Sequence, residues 1–389
     1  MTLRGRHFLQ LPGPSNVPDR ILRAIDRPTI DHRGPEFAEL GAWLLTALKR
    51  VFKTEHDVIM YPGSATGGWE SAMVNTLSAG DHVLMFDQGF FSTMWRKVAE
   101  RFGLVVDMLE ADWRRPIDVA ALHEALANDT EHRITAVAVV HNETSTIVTN
   151  PIPPIRATLD DAGHPALLFV DAVSSLPSIP YEHDAWGVDV TVVGSQKGLM
   201  LPPGLAFTAV SPKAMAATTD ADLPRSYWRW DEMLGFNDKG FFPYTPATNL
   251  LYGLKEAIVM LEEEGLDNVW ARHRRLGEAT RRAVAAWRLE CYCADVAARS
   301  DTVTTVAFPD SHDANDFRDI VRDQLNMSLG GGLGPLKGKV VRIGHLGDFN
   351  ELMLLGTLGG FELGLKAAGV PYAAGGVQAA LEYLGTEGT

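Results

Sequence analysis

The chain has 389 residues, 35 Lys+Arg against 49 Asp+Glu, a formal charge of −14 and an apolar content of 46%. That is ordinary globular composition, long enough for two domains at roughly 150 residues each. The acidic excess tells against nucleic acid or an anionic membrane as partner, because both need clustered cations. Two cysteines exclude a disulfide scaffold. Apolar runs such as Ala136–Val140 and Ala166–Val170 are too short to span a bilayer. A proline-glycine break interrupts the N-terminal stretch where a signal peptide would need its apolar core, so a cytoplasmic protein is expected.

In chain order, Phe37, Leu40, Leu44, Leu48 and Val51 recur at three and four, the spacing of one helix face. Short apolar runs then alternate with amphipathic stretches. They predict strands at Val58–Tyr61, Val83–Phe86, Val105–Met108, Ala136–His141, Leu167–Asp171, Val188–Val193 and Leu205–Val210. Four of these are apolar almost throughout, as strands buried on both faces are. The alternation predicts an α/β domain with a largely parallel sheet. Beyond about Pro246 the pattern becomes α+β. Helices are expected at Leu250–Leu261 and Arg274–Trp287, a strand at Thr302–Phe308 and a helix near Ala314–Leu325. Another strand, Val340–Ile343, precedes a helix opened by Asp348 with Glu351 three residues on, and Val377–Leu384 reads as a last helix. These place a large domain over 1–250 and a smaller one over 251–389. LGGGLG at 329–334 follows no clear strand and reads as a close-packed turn.

The segment Val193-Gly194-Ser195-Gln196-Lys197-Gly198 sets a lysine at the end of a buried strand. Desolvation there lowers the pKa of an ammonium, and the neutral amine is the form that attacks a carbonyl; a lysine snorkelling out of the loop is the alternative. Asp171 ends another such strand, either as a helix cap or as the partner of a cofactor's pyridine nitrogen. Both lie where open α/β sheets bind ligands. Pro62-Gly63-Ser64-Ala65-Thr66-Gly67-Gly68 follows the first strand and opens a helix, offering N–H groups and a dipole to a phosphate. The twelve histidines show no metal-binding spacing, so no metal is expected. Arg342 is either a surface ion-pair partner or a fork suited to a carboxylate.

These motifs are similar to those of class V aminotransferases in the fold-type I pyridoxal-phosphate superfamily, especially serine–glyoxylate and alanine–glyoxylate enzymes. The similarity runs nearly end to end, through LPGPSNVPDR, DHRGPEF, GSATGGWESA, HNETST, HPALLFVDAVSS, GSQKG, PYTPATNLLYGLKE, GGGLGPLKGKVVRIGHLG and NELMLLG. The resemblance implies a large domain with a seven-stranded, mostly parallel sheet. It also implies a homodimer with shared active sites and a pyridoxal 5′-phosphate cofactor. Lys197 would carry the Schiff base and shuttle the proton, and Asp171 would pair with the pyridinium nitrogen. Val173 and Phe91 would flank the ring, and Thr144 would bond its phenolic oxygen. Ser64, Ala65, Thr66 and Gln196 would hold the phosphate together with Thr245 of the opposite subunit. Arg342 would bind the substrate carboxylate.

The implied reaction is a ping-pong transamination of a small L-amino acid with glyoxylate. L-serine is the first choice of donor; L-alanine and L-aspartate follow, an aspartate donor needing a second cation such as Arg33. A lyase or cysteine desulfurase is a more distant alternative, since the cysteines lie together at Cys291 and Cys293. Two positions depart from the family pattern. Ala65 stands where relatives usually have glycine in the phosphate loop, and Ile147 stands where a glycine follows His-Asn-Glu-Thr-x-Thr. A β-branched residue does not readily adopt positive φ, so a reshaped turn is expected at 147.

Overall fold

The structure is a computed structural model and describes residues 5–386. Its first strand, Phe8–Gln10 (β1), belongs to the smaller of two main sheets. The larger sheet contains Asp57–Gly63 (β2), His82–Asp87 (β3), Val105–Glu110 (β4), Ile134–Val140 (β5), Leu167–Asp171 (β6), Val190–Gly194 (β7) and Gly204–Val210 (β8). Their order is β2-β8-β7-β6-β5-β3-β4. Only β8 runs against its neighbours, pairing antiparallel with β2 and β7. Every residue of β6 and β7 is buried, as expected of central strands with helices on both faces.

This topology decides where chemistry can happen. The other six strands run the same way, so the segments after β2, β3, β5, β6 and β7 all emerge at one edge. Those segments begin with Ser64, Gln88, His141, Ala172 and Ser195. The edge outside the carboxyl ends of parallel strands is where ligands settle in open α/β sheets.

The smaller sheet adds Glu290–Cys291 (β9), Val303–Ala307 (β10), Met327–Gly331 (β11) and Val340–Gly344 (β12), in the order β1-β11-β12-β10-β9. Two expectations fail here. The glycine-rich stretch is not simply a turn: Leu329, Gly330 and Gly331 lie in β11. Glycines are poor strand formers, but here their missing side chains admit Pro12 and Arg318 against the strand. The helix Glu351–Ala367 is capped not by Asp348 but by Asn350, whose side chain accepts from Met353 N, because Asn350 is the residue next to the first turn.

The two helices expected beyond residue 250 are longer than their apolar patterns suggested. They run Thr248–Glu264 and Leu266–Ala286, with Gly265 at φ +82° between them. One apolar cluster extends from Ile21 to Val269, and a second from Leu276 to Leu384, so the second of these helices serves both. The strand β1 carries the N-terminal segment onto the smaller sheet, from which Leu11–Ser15 crosses back towards Lys197. Among the described residues no helix is long and apolar enough to cross a membrane.

Candidate active site

Lys197 follows β7 in a tight turn closed by Leu201 N to Ser195 O (3.1 Å) and Met200 N to Lys197 O (3.0 Å). Its side chain is buried, and Nζ donates to Pro12 O at 2.6 Å. Burial is the main cause that pushes its pKa down to about 7; the charge of Arg342 adds to this, while Asp171 and Glu143 oppose it. The crossing N-terminal segment is locked onto the same turn: Ser15 N donates to Gln196 O (2.9 Å) and Ser15 Oγ to Lys197 O (2.9 Å). Gly13, at φ +140°, leaves the space the lysine occupies, since a Cβ there would run into Cδ and Cε of Lys197.

Asp171 ends β6 beside Val192 of β7. One carboxylate oxygen accepts from Val173 N (2.8 Å), the other from the indole N–H of Trp69 (3.0 Å). Burial nevertheless pushes its pKa up to about 7. Trp69, in the first turns of the helix Ala65–Thr76, stacks on Trp95 with ring centroids 5.5 Å apart. The sequence reading missed Trp69. Its signal was a tryptophan inside a buried glycine-rich helix start, where the indole N–H needs an acceptor.

After β5 the chain forms a small hairpin, Asn142–Glu143 against Val148–Thr149. Thr144 is buried at its tip, its hydroxyl 2.5 Å from Ser174 Oγ. Arg342, on β12, reaches across to donate to Thr144 O (2.9 Å) and to Gly331 O (2.8 Å). Desolvation lowers its pKa only to about 10, opposed by Glu143, so it stays charged at neutral pH.

Glu143 is the second residue missed. It is fully buried, and its carboxylate accepts from the N–H groups of Phe91 (3.1 Å), Ser92 (3.2 Å) and Ser145 (3.0 Å) and from Ser145 Oγ (2.8 Å). Burial raises its pKa, but four donors occupy its lone pairs and favour the ionised form. It thereby ties the hairpin to the start of the helix Phe90–Arg101 and supplies a negative charge to Arg342. An acidic residue in the otherwise uncharged run after β5 was the available signal.

Ile147 sits at φ +63°. The loop thus keeps the left-handed conformation that a glycine would take, rather than being reshaped. Holding a β-branched residue there costs about 1–3 kcal/mol. Burying an isoleucine side chain contributes about 1.5–3 kcal/mol, and Ile147 is buried against Val303 and Leu346. Packing is large enough to hold the strain.

The remaining predicted residues frame this group. Ser64 precedes the helix Ala65–Thr76, and no side chain caps that helix start. Ser64 is exposed, Ala65 buried and Thr66 partly buried. Gln196 is partly buried, its amide oxygen and the Ala65 methyl both lying against Gly194. Phe91 and Val173 are partly buried and pack against the main core. Thr245 is not drawn into the group: it is exposed, next to Tyr244, whose hydroxyl donates to Met60 O (2.9 Å). Arg33 is also spent elsewhere, donating to Phe242 O (3.0 Å) with its guanidinium 5.5 Å from the Phe236 ring centre.

A buried amine of lowered pKa and a buried carboxylate therefore share one edge with an uncapped helix start and a charged arginine. The sequence profile of the family described as Aminotransferase class-V matches residues 29–334. The chain belongs to that family. Over 98% of its length it is 47% identical to a serine–glyoxylate aminotransferase of Methylorubrum extorquens, covering 96% of that protein. Over 96% of its length it is 42% identical to an L-aspartate–glyoxylate aminotransferase of Paracoccus denitrificans, covering 95% of that protein. The crystal structure of a ureidoglycine–glyoxylate aminotransferase from Bacillus subtilis superposes with a TM-score of 0.91 at 26% identity, covering 99% of this chain and 100% of that one.

The protein is thus a pyridoxal-phosphate-dependent aminotransferase of fold type I. The aminotransferase's own residues suit that cofactor. The uncapped N–H groups at Ala65 and Thr66 suit a phosphate, the Lys197 amine suits an aldehyde, and the buried Asp171 carboxyl suits a ring nitrogen.

Proposed function

We propose that this aminotransferase moves the amino group of a small L-amino acid, L-serine first, to glyoxylate, giving hydroxypyruvate and glycine in two half-reactions. The observation that carries the reading is the buried Lys197 amine, with a pKa of about 7, within electrostatic reach of both Asp171 and Arg342. When bound, pyridoxal phosphate supplies a carbonyl for covalent attachment and a ring that withdraws electrons from the substrate Cα. Lys197 is the attachment point and the base that takes the Cα proton and returns it. Asp171 holds the ring nitrogen protonated, with Trp69 fixing the carboxylate's orientation. Val173 and Phe91 flank the ring, and Thr144 donates to its oxygen. Ser64, Ala65, Thr66 and Gln196 hold the phosphate.

Arg342 binds the α-carboxylate of the donor and the carboxylate of the oxoacid in turn, through its planar fork. Among the described residues it is the cation whose charge acts on Lys197, while Arg33 is engaged by Phe242 O, which favours a donor with an uncharged side chain over aspartate. The likeness to serine–glyoxylate enzymes points the same way. Desulfuration is disfavoured because burial pushes the Cys291 and Cys293 thiols up, opposite to what a nucleophilic cysteine needs.

The working unit is a homodimer in which Thr245 completes the phosphate site of the opposite subunit. Support comes from the exposure of Thr245 next to Tyr244, on which the exposed Tyr227 stacks. Two free cysteines suit a cytoplasmic setting.

The test is the visible absorbance of the purified holoenzyme. L-serine should remove the band of the lysine-bound cofactor and glyoxylate should restore it. A response to L-aspartate or L-alanine but not L-serine would reassign the donor, and indifference to all three would sink the reading.

A further inference from the structure

The hairpin that carries Thr144 and the sheet that carries Arg342 belong to different halves of the molecule, and Ile147 lies where they meet. Its N–H donates to Glu143 O (2.7 Å), closing the hairpin tip. Its carbonyl accepts from Ser300 N (3.3 Å), and the next residue, Val148, forms an antiparallel bridge with Arg299. Its side chain packs on Val303 and Leu346. Val303 pairs with Gly344 at the end of β12, two residues beyond Arg342. Leu346 precedes Gly347, which borders Ser15 and Met200 at the Lys197 turn.

We propose that Ile147 is a positioning residue whose side chain pins the Arg342 strand against the Thr144 hairpin and so sets the grip on the carboxylate common to both substrates. The backbone links of residue 147 are open to any amino acid; only the contact with Val303 and Leu346 depends on its side chain. Glycine would make the same links without strain, so an isoleucine held at φ +63° is maintained by what its side chain touches. Arg342 Nη1 is already anchored to Thr144 O. A shift of the smaller sheet relative to the hairpin therefore moves the guanidinium and the residue beside it together or breaks that bond. The inference rests on the reading of Arg342 as the carboxylate-binding group.

Three variants separate side-chain contact from backbone strain. Ile147→Ala keeps the strain and removes the contact, Ile147→Gly removes both, and Ile147→Val keeps most of the contact. Ala and Gly should each raise KM for both the amino acid and glyoxylate by about three- to tenfold, with kcat changed less than about twofold and Val close to the parent. In the cofactor-free protein, amide exchange at Val148 and Ser300 should quicken in the Ala and Gly variants. A Gly variant with parental KM values and parental exchange would overturn the proposal, as would a defect confined to Ala, which would assign the effect to strain. Arg342→Ala serves as the control. If it raises both KM values while Ile147→Gly does not, the positioning role fails alone. If Arg342→Ala leaves both unchanged, the carboxylate reading itself fails, and this proposal with it.

Discussion

Lys197 and Arg342 are equally buried, each 7% exposed, yet they end in different charge states. The lysine on the larger sheet has one hydrogen-bond acceptor, Pro12 O, and its pKa falls to about 7. The arginine on the smaller sheet has two backbone acceptors and the nearby Glu143 charge, and its pKa falls only to about 10. A compact ammonium loses more on desolvation than a delocalised guanidinium, which starts from a higher value and spreads its charge over five donors. The same degree of burial thus makes a base of one cation and leaves the other an anion clamp. Residue type and acceptor count, more than depth, divide the labour.

Removing the base should have the largest effect. Lys197→Ala is expected to lower turnover by about four orders of magnitude, measured as glycine formation from serine and glyoxylate. Activity within tenfold of the parent would mean that another group moves the Cα proton. Next in size is the clamp. Arg342→Ala should reduce kcat/KM about a hundredfold for both substrates, and Arg342→Lys should recover only part of this. Full recovery by lysine would show that charge alone matters and would erase the contrast between the two cations.

The smallest effect is on stability and isolates the electrostatics. A lysine whose folded pKa lies below its ordinary value binds fewer protons folded than unfolded between about pH 7 and its usual range near 10.4. Unfolding free energy of the cofactor-free protein should therefore gain a positive slope of about one proton from pH 8 to 9. Lys197→Met should lose that slope in calorimetric melts. Arg342→Met should keep it, because Arg342 is charged in both states over that interval. The raised Asp171 acts with the opposite sign until it is deprotonated by about pH 8, so the comparison is read from pH 8 to 9. Equal slopes in the Lys197→Met variant and the parent would contradict a neutral buried lysine.

Much of the fold was legible because it is written locally. Runs such as Leu167–Val170 are apolar at every position, the pattern of a short strand covered on both faces. What escaped had weak local signals. The strand β1 is three residues long, and β11 carries consecutive glycines whose strand conformation depends on Pro12 and Arg318 packing where side chains would be. In the site, Lys197 and Asp171 stood out because charged residues at the ends of buried strands are costly. Glu143 and Trp69 did not, since their importance lies in partners 51–52 and 102 positions away.

By itself, then, the sequence determined the alternating α/β architecture, the order of its motifs and the types of chemistry they offer, because hydrophobic period and functional group are properties of short segments. Only the tertiary structure decided which groups meet: Lys197 with Pro12, Arg342 with Thr144, and Ile147 held left-handed against Val303 and Leu346. Those outcomes follow from topology and close packing, which bring together residues up to 199 positions apart at distances where burial and charge act, and no local pattern contains them.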